Sequence, residues 1–301
     1  MSKKIKMVLA VVVMLSLAGS AQAAVNYYWG NASGDWNSPG TWANHNPGTR
    51  DWPSPASTDQ DIAISIGGVT IDVTMAGGAT GQGSVDLMAG YSTGVSTINV
   101  DAGIFWLILH GGQVGCGNDA DSDVATGILN IYGSAQLEQL LVPNSKNDTG
   151  IINVYDGGSL VVGYWGCTVG FPDANVFTGA SGSINLIKSG SMTLYSALTM
   201  NPTGHIDIES GELKVQGDYV TLLQGYVNAG RITSYGGSSP RCPLAVTLLN
   251  GWTYVKTTGC TCTTYVQADV NRDCYVDFRD FALLSQGWLD CTNPADANCA
   301  Q

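Results

Sequence analysis

The chain has 301 residues, of which 24 are Asp or Glu and 12 are Lys or Arg, for a formal net charge of −12. So acidic a protein repels nucleic acid and anionic lipid, and it repels anionic polysaccharides unless divalent ions bridge them. With 39 glycines, 13 tyrosines and 8 tryptophans against a charged fraction of 12%, the composition excludes a disordered chain, which would be poor in aromatics, and fits an extracellular all-β protein.

At the N-terminus Lys3, Lys4 and Lys6 precede an apolar run from Met7 to Leu17, and Ala21-Gln22-Ala23 has the small-x-small form of a cleavage site. The pattern predicts a secretory signal peptide over residues 1–23, and with it a secreted or cell-surface location. The apolar run is well short of the ~20 residues that cross a bilayer, and no later segment qualifies as a membrane span. Its removal takes away three lysines and no acids, which moves the formal charge to about −15. Next, Tyr27-Tyr28-Trp29 and Asp35-Trp36 run into Trp42, Trp52 and Pro53, so half of the tryptophans lie close together. Exposed, they would stack on sugar rings. The expectation is instead a cap, because the terminal unit of a repetitive fold has to shield its open end.

From there the chain repeats an apolar-polar-apolar triplet: Ile98-Asn99-Val100, Leu129-Asn130-Ile131, Ile152-Asn153-Val154, Ile184-Asn185-Leu186 and Ile206-Asp207-Ile208. Gly127, Gly150, Gly182 and Gly204 sit three residues before the polar centre, with Ser96 in the first copy, and Phe105, Leu137, Leu160, Met192 and Leu213 follow it. The centres are 31, 23, 32 and 22 residues apart, the signature of a solenoid whose alternate copies carry longer loops. Alternation gives short strands with one inward face, glycines permit tight corners, and no copy buries its face alone, so the copies must stack. An antiparallel sandwich has no reason to repeat one pattern five times. Residues 24–258 are therefore read as an all-β, parallel β-solenoid, with Gly225 to Thr257 as further strands closing its far end. The repeats resemble those of right-handed parallel β-helices in polysaccharide lyases, adhesins and autotransporter passenger domains, a likeness of architecture that carries no activity.

The chemistry available to this body is thin. A β-helix lyase needs a strong base beside acids that hold calcium against a uronate. Lys188 and Lys214 are the cations nearest the repeats, and both read as solvated outer-face residues. Asp207, Glu209 and Glu212 form a local acidic cluster. Asp207 and Glu209 share a strand face, with carboxyls ~6–7 Å apart, which leaves glycosidase chemistry open. Yet Asp207 stands where the other copies carry Asn, so a stacked polar ladder with a variant rung is the simpler reading. Asn118-Asp119-Ala-Asp121-Ser-Asp123 alternates acids like the start of a calcium loop that nothing completes, and His45, His110 and His205 fall in different copies. No residue is assigned a catalytic role, and the reading leans against an enzyme.

Residues 259–301 differ in kind. Five of the eight cysteines are here, Cys260, Cys262, Cys274, Cys291 and Cys299. In an exported chain they read as disulfides, and the odd count ties this segment to Cys116, Cys167 or Cys242 if all are paired. Asp269, Asn271, Asp273, Asp277 and Asp280 occupy positions 1, 3, 5, 9 and 12 of a twelve-residue loop, and Tyr275 supplies a backbone carbonyl from position 7. A hard cation wants six or more oxygens about 2.3–2.6 Å away, which makes calcium the expected ion. Asp280 replaces the usual bidentate Glu of an EF-hand and Cys274 the usual Gly. The loop leads into an apolar face of Phe278, Phe281, Leu284 and Trp288, spaced as on a helix. Loop and helix together resemble one calcium-binding repeat of a type I dockerin. The following Asp290 to Cys299 is too short for a second. The resemblance implies a docking or anchoring tail, a cohesin-like or cell-surface protein as its partner, with Phe278 and Arg279 at the positions that choose it, and polysaccharide as the context.

Overall fold

The computed structural model describes residues 25–30, 32–36, 38–44, 60–74, 85–90, 93–115, 124–143, 147–170, 179–237, 242–258, 268, 276 and 280–285. It is an all-β protein built on two sheets. The larger has 12 strands: β1 (Val25–Gly30), β3 (Trp42–Asn44), β4 (Gln60–Ser65), β6 (Val85–Ala89), β8 (Phe105–Val114), β10 (Ser134–Val142), β12 (Ser159–Val169), β14 (Ser191–Leu194), β15 (Leu198–Met200), β17 (Glu212–Gln216), β19 (Leu244–Leu249) and β20 (Trp252–Thr257). The smaller has eight: β2 (Gly34–Asp35), β5 (Thr70–Val73), β7 (Gly94–Val100), β9 (Ala125–Ile131), β11 (Thr149–Val154), β13 (Ser181–Leu186), β16 (Gly204–Ile208) and β18 (Ile232–Thr233). Between β5 and β14 the chain alternates strictly between the sheets, laying one strand on each before returning. Like strands stack in parallel, and neither sheet closes on itself.

The register carries the sequence repeat directly. In the smaller sheet Ile71, Ile98, Leu129, Ile152, Ile184, Ile206 and Ile232 are successive Cα partners and form one buried column. The larger sheet faces it with Trp106, Ala135, Leu160, Met192, Leu213 and Val255. Trp106 thus takes the inward place expected of Phe105, which is half exposed and pairs with Ser134 on the outer face. Alternation along a strand forces that choice: of two adjacent aromatics only one points in.

The glycine column works through space rather than through turns. Gly127, Gly150, Gly182 and Gly204 are Cα partners. A Cβ on Gly182 would lie 1.9 Å from the Val142 carbonyl oxygen, and one on Gly150 2.2 Å from that of Val114. Here each strand of the smaller sheet passes against the end of a strand of the larger one, closer than any side chain permits. In the larger sheet the register shifts between Leu137 and Gln139 against both neighbours, a bulge that bends β8, β10 and β12 at one level.

The ends are atypical, as stacking requires. At the N-terminal end Trp36 and Trp42 are buried, and Trp36 meets both Trp42 and Trp106 edge-on at 5.0 Å. These two tryptophans are therefore buried against the first rungs rather than exposed. Trp52 lies outside the described residues. At the far end the all-strand expectation for residues 225–257 is corrected, since Val220–Asn228 is an α-helix, α1. Leu223, Tyr226 and Val227, with Tyr219 before them, follow helical spacing and pack on the core. Beyond α1, β19 and β20 form a hairpin whose β20 pairs antiparallel to β17.

Two stability measurements check this packing. Gly182→Ala is expected to cost more than about 3 kcal/mol, because backbone must move. Gly225→Ala, in an exposed turn of α1 with nothing within 4 Å of a Cβ, is expected to stabilise by about 0.5–1 kcal/mol; denaturant unfolding of both variants reads the contrast. Cys167 is a free thiol inside the core, and burial pushes its pKa from 9.0 up to about 12. Its contribution is complete below pH 9 and is lost as pH rises toward 12, since the unfolded chain gives up the proton first. Unfolding free energies of wild type relative to Cys167→Ala should run level to pH 9 and then fall by about 1.4 kcal/mol per pH unit; parallel curves would contradict the burial.

Candidate functional site

On the outer face of the smaller sheet the polar centres of the repeat form a continuous amide ladder. Asn185 donates through Nδ2 to Asn153 Oδ1 (2.8 Å), Asn153 to Asn130 (2.9 Å), Asn130 to Asn99 (2.9 Å) and Asn99 to the Asp72 carboxylate (2.8 Å). The expected polar ladder is there, with one more rung than the triplet count, because Ile71-Asp72-Val73 is a further copy with an acid at its centre. At the opposite end Asp207 is in register with Asn185 and accepts from Thr233 Oγ1 (2.7 Å) and the Gly236 amide (2.8 Å). Thr233 has one hydroxyl hydrogen, which goes to Asp207, so its 2.9 Å contact with His205 Nε2 takes its hydrogen from the imidazole.

The acidic cluster is divided by the fold. Asp207 stands on β16 and Glu209 just beyond it, where its Oε2 accepts from the Lys188 amide (2.9 Å), whereas Glu212 opens β17 in the other sheet and pairs with Lys256 at 2.5 Å. Lys188 lies in an exposed turn 3.8 Å from Asp156. The Ser189 hydroxyl bonded to that carboxylate, aided by the Lys188 charge, holds Asp156 below its ordinary value. Lys214 is on the outer face of β17, its Nζ 4.1 Å over the Trp252 ring. These acids and bases tie rung to rung. They do not converge on a common point.

The outer face of the larger sheet, toward its β20 end, is different. At the bulge Tyr164 and Trp165 stand out, 72% and 56% exposed. Tyr164 tilts toward Tyr195 with ring centres 5.7 Å apart, and Tyr195 meets Trp252 edge-on at 5.5 Å. Tyr254 continues the face beside Trp252, with Lys214 and Lys256 over its ring at 5.7 and 5.0 Å. Beside this row Ser189, Ser191, Ser210, Gly211, Glu212 and Lys256 line a trough of about 290 Å³. The columns explain the arrangement. Ser134, Ser159, Ser191, Glu212 and Lys256 are successive Cα partners and make a polar column, one step along the strands from Thr193, Lys214 and Tyr254. The aromatic row was not anticipated from sequence. Its signal is the pair Tyr164-Trp165 between Gly163 and Gly166, where alternation breaks.

Of the residues expected to ligate calcium, Asp280 is within the described residues, and Asp269, Asn271, Asp273, Tyr275 and Asp277 lie outside them. Asp280 opens a helical run over 280–285 and is 2% exposed. In the same run Phe281 and Leu284, two of the expected apolar-face residues, are exposed; Phe278 and Trp288 fall outside the described residues. The donor set is four carboxylates, one carboxamide and one backbone carbonyl, all hard oxygen, which fits calcium and no softer ion. Among the described residues no group of three or more His, Cys, Asp or Glu side chains is poised to hold a metal. Cys242 is buried and disulfide-bonded, and His45 and Asn118 to Asp123 lie outside the described residues. No protein-family model, curated protein or solved structure matches the chain.

Proposed function

We propose that the protein is a secreted, non-catalytic right-handed parallel β-helix that binds extracellular polysaccharide and carries a disulfide-tied, calcium-dependent, dockerin-like docking tail. The observation that carries the binding role is the contrast between the two outer faces. Acids and amides on the smaller sheet are engaged in rung-to-rung contacts, while Tyr164, Trp165 and Tyr195 stand exposed on the larger one beside the half-buried Trp252. Right-handedness is supported by the topology, since between β5 and β14 each return to a sheet is a parallel crossover and such connections are right-handed in ~98% of cases. Support against a lyase or glycosidase is that Glu212 is on a different sheet from Asp207 and Glu209, and that Lys214 is held over an aromatic ring.

For the tail, the spacing of the six oxygen donors supports calcium, and Asp280, at position 12, has its carboxylate turned from solvent where the helix starts. The ion would supply the positive charge that folds an acidic loop back on itself. The exposed Phe281 and Leu284 supply the apolar face that a protein partner, cohesin-like or on the cell surface, would cover. Titration calorimetry of the full chain with calcium is expected to give one site, lost when Asp269→Ala and Asp273→Ala are combined. No heat, or heat unaffected by the two changes, would overturn the calcium tail.

A further inference from the structure

We infer that the aromatic row on the larger sheet is a platform for a neutral glycan chain lying across the strands, which deepens the polysaccharide reading above and rests on it. The first argument is shape. Tyr164, Tyr195 and Trp252 come from β12, the turn after β14, and β20, so the row runs along the stack, with ring centres 5.7 and 5.5 Å apart. β12 and β14 are neighbours and β17 lies between β14 and β20, so the row crosses four strands, a span of ~14 Å, the length of a few sugar units, and the Tyr195 and Trp252 rings meet across β17. A polymer of pyranose rings laid along the stack meets three aromatics over that span, whereas an extended peptide would present alternating side chains.

The second argument is the chemistry beside the rings. A pyranose has an apolar face of C–H groups and an edge of hydroxyls. The platform offers both, with Tyr195 and Trp252 at one level and, four residues along their strands with Lys214 and Tyr254 between, Ser191, Glu212 and Lys256 of the trough. Tyr and Trp also carry a polar group at the ring edge, so they serve a ligand that is half apolar and half wet.

Charge selects the class of glycan. Glu212 and Lys256 neutralise each other at 2.5 Å, and the Lys214 ammonium sits against the Trp252 and Tyr254 rings. The chain as a whole carries −12. A uronate polymer approaching it is repelled at long range and finds no unpaired cation cluster on arrival. A neutral hexose or pentose polymer meets no such barrier.

The platform is also braced before any ligand arrives. Tyr195 holds Trp252 edge-on and Lys214 covers it from above, while the Glu138 carboxylate beneath the bulge accepts from the Tyr164 amide at 3.4 Å. Rings already fixed lose little freedom on binding, which leaves more of the contact energy as affinity.

The test uses the full chain and defined probes: cellohexaose, xylohexaose and mannohexaose as neutral chains, and polygalacturonate as the acidic one, by calorimetry with reducing-end release assayed in parallel. At least one neutral oligosaccharide is expected to bind, and Tyr164→Ala with Trp165→Ala is expected to weaken it at least tenfold. Both side chains are exposed, so the double variant keeps the wild-type melting temperature. Tyr132→Ala, which removes an exposed ring stacked at 4.3 Å on Tyr155 on the other sheet, should leave binding unchanged. Wild-type affinity in the double variant, binding confined to polygalacturonate, or row-dependent capture of a protein with no glycan bound would each overturn the proposal. Reducing-end release would sink the non-catalytic reading while leaving the platform intact if the double variant still loses binding. No calcium heat from the wild-type chain, with glycan binding intact, would sink the tail alone.

Discussion

Everything in this fold depends on one constraint, that each strand lies on its predecessor in parallel and in the same register. Parallel stacking places like residue on like residue, so a choice made in one copy is tested against the same choice above and below it. For aliphatic side chains this is favourable without adjustment, and the isoleucine column of the smaller sheet is the result. For polar side chains the requirement is stricter. A residue in mid-column must give a hydrogen bond in one direction and accept one from the other, which a carboxamide does and a carboxylate does not. Asparagine therefore fills the interior of the ladder and acids stand at its ends. Asp72 accepts from Asn99 and has nothing to donate; Asp207 sits where the next donors come from a hydroxyl and a backbone amide.

The same constraint decides what could be seen in the sequence. The five triplets were legible because register makes every copy solve the same problem with nearly the same residues, and the sheet class and the buried columns follow from them. The role of the glycines was legible only in part. Their recurrence marked a structural position, but whether a glycine serves a turn or a close approach depends on what lies across from it, and Val142 is forty residues from Gly182 in the chain. Phe105 and Trp106 show a similar limit, since adjacent aromatics satisfy the periodicity equally well in either phase.

What stayed hidden lies where the repeat fails. The helix Val220–Asn228 was masked by the strands around it, although Tyr219, Leu223, Tyr226 and Val227 do have helical spacing. It forms because the last rung has no successor, and a helix laid across the open end covers apolar area that another strand would have covered. The aromatic row was hidden for a related reason. Tyr164 and Trp165 occupy a bulge, where Gly163, Tyr164 and Trp165 together face the single Glu138 of β10 and the inside-outside alternation is suspended. Partners such as Trp252 come from a strand that runs against the rest. No one-dimensional pattern joins these residues. The proposed calcium loop is the opposite case, since its six oxygen donors fall within twelve residues and their chemistry can be read without knowing how the loop is placed.

These two kinds of legibility bear on how such a protein acquires function. A column that must satisfy its neighbours cannot easily carry a reactive group, because a side chain poised for chemistry is one whose hydrogen bonds are not already committed. The regular faces are for that reason poor places for catalysis, and among the described residues the amides, acids and bases named above on those faces are engaged in the ladder and in rung-to-rung contacts. Departures from regularity, a bulge and an antiparallel closing hairpin, release side chains from the column. On this chain the residues released are aromatic, exposed at Tyr164 and Trp165 and half-buried at Trp252, and close together along the stack axis. A repetitive scaffold that exposes rings at its irregular points is suited to hold a repetitive polymer.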